Sequence, residues 1–127
     1  MSEYQEYVNN VRDTIDKIVD GKMCFFKGQM LEWSNMSDSD MAEYEANYEA
    51  DYDNYHEYNL DDYFETVYNI DYLVDNFKQY KHVIVLVAYG GPNIYIDTIK
   101  GVVALYWGSS HAEAYLRMDT ILAIDEY

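Results

Sequence analysis

The run His82-Val83-Ile84-Val85-Leu86-Val87-Ala88-Tyr89, closed by Gly90-Gly91-Pro92-Asn93, sets the architecture of this chain. It is apolar and rich in β-branched residues, which reads as a buried strand. The Gly-Gly-Pro-Asn stretch that follows is a turn signal. Ile94 and Ile96, then Val102 to Trp107, give two more strands joined by a turn near Ile99-Lys100-Gly101. Ala112 to Leu116 gives a further strand, and Met118 to Tyr127 a final helix. Strands in series with short turns imply an antiparallel meander.

Upstream the hydrophobic period changes. Tyr4, Tyr7, Val8, Val11, Ile15, Ile18 and Val19 recur at spacings of three and four, which predicts an amphipathic helix over residues 3–20. Ser2 is placed to cap it and Gly21 to stop it. Met23 to Phe26 and Met30 to Trp33 read as a short hairpin about Lys27-Gly28. The predicted fold class is α+β: an antiparallel β-meander of three to five strands, helices on one face, and an acidic helical insertion in the middle. The length suits a single domain over residues 1–127, with the acidic segment at about 34–75 and the sheet-forming segment at about 82–117.

The insertion is where the charge lies. Residues 34–75 hold thirteen acidic side chains and no Lys or Arg, and so carry −13 of the formal −16. Ser37 with Asp40 forms a capping-box pattern that opens a helix predicted from Asp38 to about Tyr58. Along it Tyr44, Tyr48, Tyr52 and Tyr55 make a tyrosine stripe that packs inward. Glu45, Glu49, Asp53 and Glu57 make a row of like charges at i, i+4, which destabilises a helix. Asn59 and Asp62 are placed to cap a further helix, with Leu60, Phe64, Val67, Val74 and Phe77 facing the core.

A charge this one-sided repels itself in the compact state, so its retention points to a use, the meeting of a basic surface. Asp38, Asp40, Glu43, Glu45, Glu49, Asp51, Asp53 and Glu57 would span roughly 30 Å of helix. One charge per roughly 4 Å approaches the linear phosphate density of a DNA strand. Asp61, Asp62, Glu65, Asp71 and Asp75 extend the set on the second helix. Tyrosines between these carboxylates are placed to pack on the stems of Arg and Lys or to receive them by cation–π contact.

The run Ala88-Tyr89-Gly90-Gly91-Pro92-Asn93-Ile94-Tyr95-Ile96-Asp97-Thr98, with Ala104-Leu105-Tyr106-Trp107 and Ala112-Glu113-Ala114-Tyr115-Leu116, resembles a module in small proteins of phages and mobile elements. The resemblance covers roughly residues 83–127, implies a mobile-element origin and brings no catalytic residues. The acidic, Tyr-rich whole is similar in composition and size to DNA-mimic proteins that block restriction enzymes or CRISPR effectors. That resemblance implies an anti-restriction or anti-CRISPR inhibitor without enzymatic activity, which occupies the DNA- or RNA-binding channel of its target through Asp38, Asp40, Glu43, Glu45, Glu49, Asp51, Asp53, Glu57, Asp61, Asp62 and Glu65. The alternative is an acidic adaptor that docks a basic non-DNA surface or blocks effector assembly. Exposure of Tyr106 and Trp107 would favour a partner surface, and the chain leaves open whether it forms a homodimer.

Other chemistry finds little footing. The negative charge opposes direct binding of nucleic acid or anionic membrane. Cys24 alone excludes an internal disulfide, and with no signal peptide and no long apolar run it points to a bacterial host cytoplasm. Asp51 to Asp62 resembles the start of a calcium loop but lacks the glycine at the sixth position and the closing Glu. His56, His82 and His111 have no zinc spacing and read as surface or core residues. Asp97, Glu113 and Asp119 have no basic surface that would hold a nuclease substrate, and Gly90-Gly91-Pro92 lacks the Lys and the N–H groups of a phosphate loop. No metal or cofactor is expected.

Overall fold

The computed structural model describes residues 3–67, 69–74, 80–88 and 91–126. Ser2, Asp75, Phe77, Tyr89, Gly90 and Tyr127, which entered the sequence reading, lie outside them. Helix α1 (Glu3–Val19) opens the chain, followed by β1 (Met23–Phe26) and β2 (Gln29–Glu32). A short 3-10 turn at Trp33–Asn35 leads into α2 (Asp38–Asn47), β3 (His56–Glu57) and α3 (Leu60–Phe64). The second half holds β4 (Asn69–Val74), β5 (Tyr80–Ala88), β6 (Asn93–Asp97), β7 (Val102–Trp107), β8 (Ser110–Tyr115) and α4 (Met118–Asp125).

The expected meander is present as a five-stranded antiparallel sheet in the order β4-β5-β6-β7-β8. Alternation along each strand sends Val83, Val85, Ile94, Ile96, Val103, Leu105, Ala112 and Ala114 into one core, where Val8 and Ile15 of α1, Phe64 of α3 and Ile124 of α4 meet them. The helices therefore cover one face. The opposite face carries Tyr95, Tyr106 and His111, with Tyr95 edge-on to Tyr106 and Tyr106 stacked on His111 at 4.7 Å. Arg117 ties the two terminal helices together: its guanidinium donates to both carboxylate oxygens of Asp20, at 3.0 and 2.7 Å. That pairing holds the Asp20 carboxyl below its usual range.

A second sheet, β2-β1-β3, lies beside the first. Gly21, in the left-handed region at φ 73°, ends α1, and Lys22 N–H closes on the Lys17 carbonyl at 2.9 Å. Lys27 and Gly28 both have positive φ, the pairing a two-residue hairpin turn requires. The hairpin tip touches the acidic segment, since Gly28 N–H donates to the Asn54 carbonyl at 3.1 Å. A small core of Ile18, Met23 and Tyr58, flanked by Phe25, Leu60 and Tyr63, joins this sheet to α1 and α3.

Two expectations are corrected. The helix predicted from Asp38 to Tyr58 stops at Asn47, and Glu49, Asp51 and Asp53 lie in turns that lead to the strand bearing Glu57. Like-charge pairs in the Glu45, Glu49, Asp53, Glu57 row give no support to continuation. Asp51, Asp53 and Asn54 also favour local hydrogen bonds over helix, and the Asn54 amide bonds the Asp51 carboxylate at 3.2 Å. The helix predicted beyond Asn59 is only the five residues of α3; Val74 and Asp71 belong to β4, where Asp71 stands opposite Ile84. Asn69 to Val74 alternates with period two, and Thr66 Oγ1 turns back to the Tyr63 carbonyl at 2.6 Å as α3 ends. The single charged rod is thus replaced by a helix of about 15 Å, a turn, a strand and a short helix.

Gly28→Ala is expected to destabilise the fold by about 1–2 kcal/mol for the left-handed backbone alone. A Cβ there would also lie 3.0 Å from Asn54 Oδ1, whereas at Gly21 it meets nothing within 4 Å. Urea denaturation should therefore show Gly28→Ala as the more damaging of the two variants.

Candidate functional site

The acidic segment is built from two capping boxes and one buried histidine. Ser37 Oγ accepts from Asp40 N–H at 3.1 Å while the Asp40 carboxylate accepts from Ser37 N–H at 3.1 Å, which starts α2. Asn59 and Asp62 repeat the arrangement at the start of α3, at 3.2 and 3.0 Å. Between them His56 pairs with Phe25 of β1 in the second sheet, its side chain almost wholly buried. His56 Nδ1 lies 2.6 Å from the Tyr52 carbonyl and Nε2 lies 2.9 Å from Asp62 Oδ1. The Tyr52 carbonyl and the Asp62 carboxylate both present acceptor oxygens to the ring, so His56 bridges the turn after α2 to the start of α3. The ring lies edge-on to Phe25 and parallel to Tyr52, each at 4.7 Å between centroids.

The eleven sequence-derived carboxylates fall into two groups. Asp40, Glu43, Asp51 and Asp62 are half-buried, and each has an internal partner: the Ser37 amide, Lys27 at 3.4 Å, the Asn54 amide, and His56 with the Asn59 amide. Asp38, Glu45, Glu49, Asp53, Glu57, Asp61 and Glu65 are exposed. Of these, Glu49 accepts from the Tyr48 hydroxyl at 3.2 Å, and among the described residues none of the seven is paired with a Lys or Arg. The outward charge is carried by α2, the turn after it, β3 and α3.

The tyrosine stripe becomes the wall of a cavity. Trp33, Tyr44, Tyr48, Tyr52, Tyr55, His56 and Glu57 enclose about 360 Å³. Tyr44 lies edge-on to Trp33 at 4.9 Å and parallel to Tyr48 at 5.8 Å, and Tyr55 closes the floor edge-on to Phe26 at 5.7 Å. Tyr55 is buried at 8% exposure, whereas Tyr48 and Tyr52 are 42% and 63% exposed, so only part of the stripe packs inward. The Tyr44 phenol is pushed up by burial first and then by neighbours that include Glu57. The Tyr48 phenol is pushed up by its hydrogen bond to Glu49.

The sequence left His56 as a surface or core residue and Trp33 as the end of the hairpin, and placed neither at the site. The signal available was the approach of both to the Tyr44–Tyr55 stretch, and only the β1–β3 pairing makes that proximity real. Cys24 is buried, 3.4 Å from Met36 Sδ, and burial pushes its thiol up. Asp97 caps the turn after β6 through the Ile99 and Lys100 amides, and Asp119 faces Arg117 at 3.3 Å. Among the described residues no group of His, Cys, Asp and Glu is placed to hold a metal, and no helix is long and apolar enough to cross a membrane. Comparison of the chain with protein families, with curated proteins and with solved structures finds no match.

Replacing His56 with Ala should cost about 2 kcal/mol, because the partially buried Asp62 carboxylate and the Tyr52 carbonyl both lose a hydrogen-bond partner; a urea melt reads this directly. Alkaline pH tests the phenols. Burial pushes Tyr63 up to about 12 and raises Tyr58 and Tyr44 above the ordinary value of 10.0. The folded protein then holds these protons more tightly than the unfolded chain. Their contribution should be complete below pH 10 and fall away as pH rises toward about 12. Tyrosinate absorbance followed together with the unfolding midpoint checks the order of events.

Proposed function

We propose that this protein inhibits a bacterial defence nuclease, a restriction enzyme or a CRISPR effector, by nucleic-acid mimicry. Its exposed carboxylates occupy the basic channel that otherwise holds DNA or RNA. The observation that carries this reading is the set of seven exposed acids between Asp38 and Glu65, unpaired with any Lys or Arg among the described residues. A face selected for stability alone would interleave Lys at i, i+4 spacing. A channel lined with Lys and Arg supplies the missing cations, as it does for phosphates. The exposed acids are spread over a helix, a turn, a strand and a second helix, so their charges do not lie along one straight rod. No bond is made or broken in this role.

A second reading, an adaptor that docks a basic non-DNA surface or blocks effector assembly, draws on the β7–β8 hairpin. Tyr106 and Trp107 there are exposed, and so is Tyr115. A mimic excludes nucleic acid from its target; an adaptor leaves it bound.

Rescue of plasmid or phage in cells carrying a panel of restriction and CRISPR systems identifies the target, and competition against labelled DNA on the purified target separates the two readings. Inhibition should weaken steeply with added salt. Glu45→Gln, Asp61→Asn and Glu65→Gln together should weaken it about tenfold, at roughly 0.5 kcal/mol for each exposed pair. Full inhibition by the triple variant, with an unchanged circular dichroism spectrum, would count against the mimic.

A further inference from the structure

The cavity between α2 and β3 combines two features that attract the same kind of guest. Aromatic ring faces are electron-rich and draw cations. The outer faces of Tyr48 and Tyr52 are accessible, at 42% and 63% exposure, above a floor of buried Tyr55 and half-buried Trp33 and Tyr44. Beside these rings stand Glu57, exposed on β3, and Glu49, whose carboxylate already reaches the rim through the Tyr48 hydroxyl at 3.2 Å. Glu57 belongs to the lining itself, and its charge is among the causes that raise the Tyr44 phenol. Aromatics serving only as core would close on one another; these hold open about 360 Å³, within the range of small-ligand sites.

We propose that this cavity receives an arginine side chain of the partner protein, its guanidinium lying flat on the open face of Tyr52 and its N–H donors directed at Glu57. The inference rests on the reading that the acidic face meets a basic protein, and it names the anchor within that contact. Arg fits better than Lys for a physical reason. Guanidinium is planar and weakly hydrated, stacks on aromatic rings and presents forked donors that match a carboxylate, whereas ammonium is compact and holds its water. The protein already uses this combination on the other side of the same ring. His56, also planar, stacks on Tyr52 at 4.7 Å while its Nε2 meets the Asp62 carboxylate at 2.9 Å. The Asp62 carboxylate is already engaged by that ring and by the Asn59 amide, so Glu57 and Glu49 remain to offset the guest.

The test needs no nuclease. The full chain is titrated at physiological ionic strength with matched glycine-spaced peptides bearing arginine, lysine or trimethyllysine, followed by the NMR signals of the Trp33 indole N–H and the Tyr52 ring. The arginine peptide should bind about tenfold more tightly than the lysine peptide and shift both signals. Tyr52→Leu should abolish that preference and leave the weak, salt-sensitive binding common to all three peptides. Glu57→Gln should weaken the arginine peptide most. Glu45→Gln with Asp61→Asn, outside the cavity, should weaken every peptide equally and keep the preference. Equal affinity for arginine and lysine, or an unchanged preference in Tyr52→Leu, overturns the proposal, and tighter binding of trimethyllysine reassigns the cavity to an alkylammonium guest. An arginine preference in a protein that rescues no defence target would sink the nuclease reading and leave the cavity assignment standing. Nuclease inhibition without arginine preference would do the reverse.

Discussion

His56 fastens the anionic segment to the rest of the molecule. One buried ring contacts the Tyr52 carbonyl in the turn after α2 and the Asp62 carboxylate at the start of α3, while its own backbone pairs with β1. The His56 side chain is almost wholly buried, where leaving its polar atoms unmet is costly. The segment carries −13 across residues 34–75 and is driven outward by its own charge. Among the described residues, Lys27 is the Lys or Arg that reaches it, contacting Glu43 from the tip of the hairpin.

The aromatic residues supply what the charge withholds. Phe25 stands edge-on to both His56 and Tyr58, and Phe26 to Tyr55, so the small sheet grips the acidic segment through ring contacts. Tyrosine suits this border because its body buries while its hydroxyl stays wet or meets a carboxylate. The same arrangement divides the acids by role. Those nearest the backbone and the histidine are consumed in caps and pairs, and those beyond the rings face solvent. The result is a surface in which unpaired charge borders an aromatic hollow.

Much of this was legible along the chain. Four strands of the meander follow from the apolar, β-branched runs at Val83–Val87 and Val102–Leu105 and from Ile94–Ile96 and Ala112–Leu116, set off by turn signals. Both capping boxes were visible because a cap is a contact three residues long. The end of α2 was hidden because Tyr48, Tyr52 and Tyr55 kept a helical spacing after the helix itself had stopped at Asn47. β4 was hidden for the opposite reason: its apolar residues Ile70 and Val74 also fit a helical period.

The order of residues alone therefore determined four of the five strands of the larger sheet, the starts of the helices and the place where the charge is concentrated, since each depends on groups within a few positions of one another. Tertiary structure decided which carboxylates remain free and where the tyrosines point. The pairing of Phe25 with His56 spans about thirty residues, and no local period encodes it. That pairing holds the chain as a strand after α2 has stopped and sets the buried His56 beside Asp62 in the wall of the cavity.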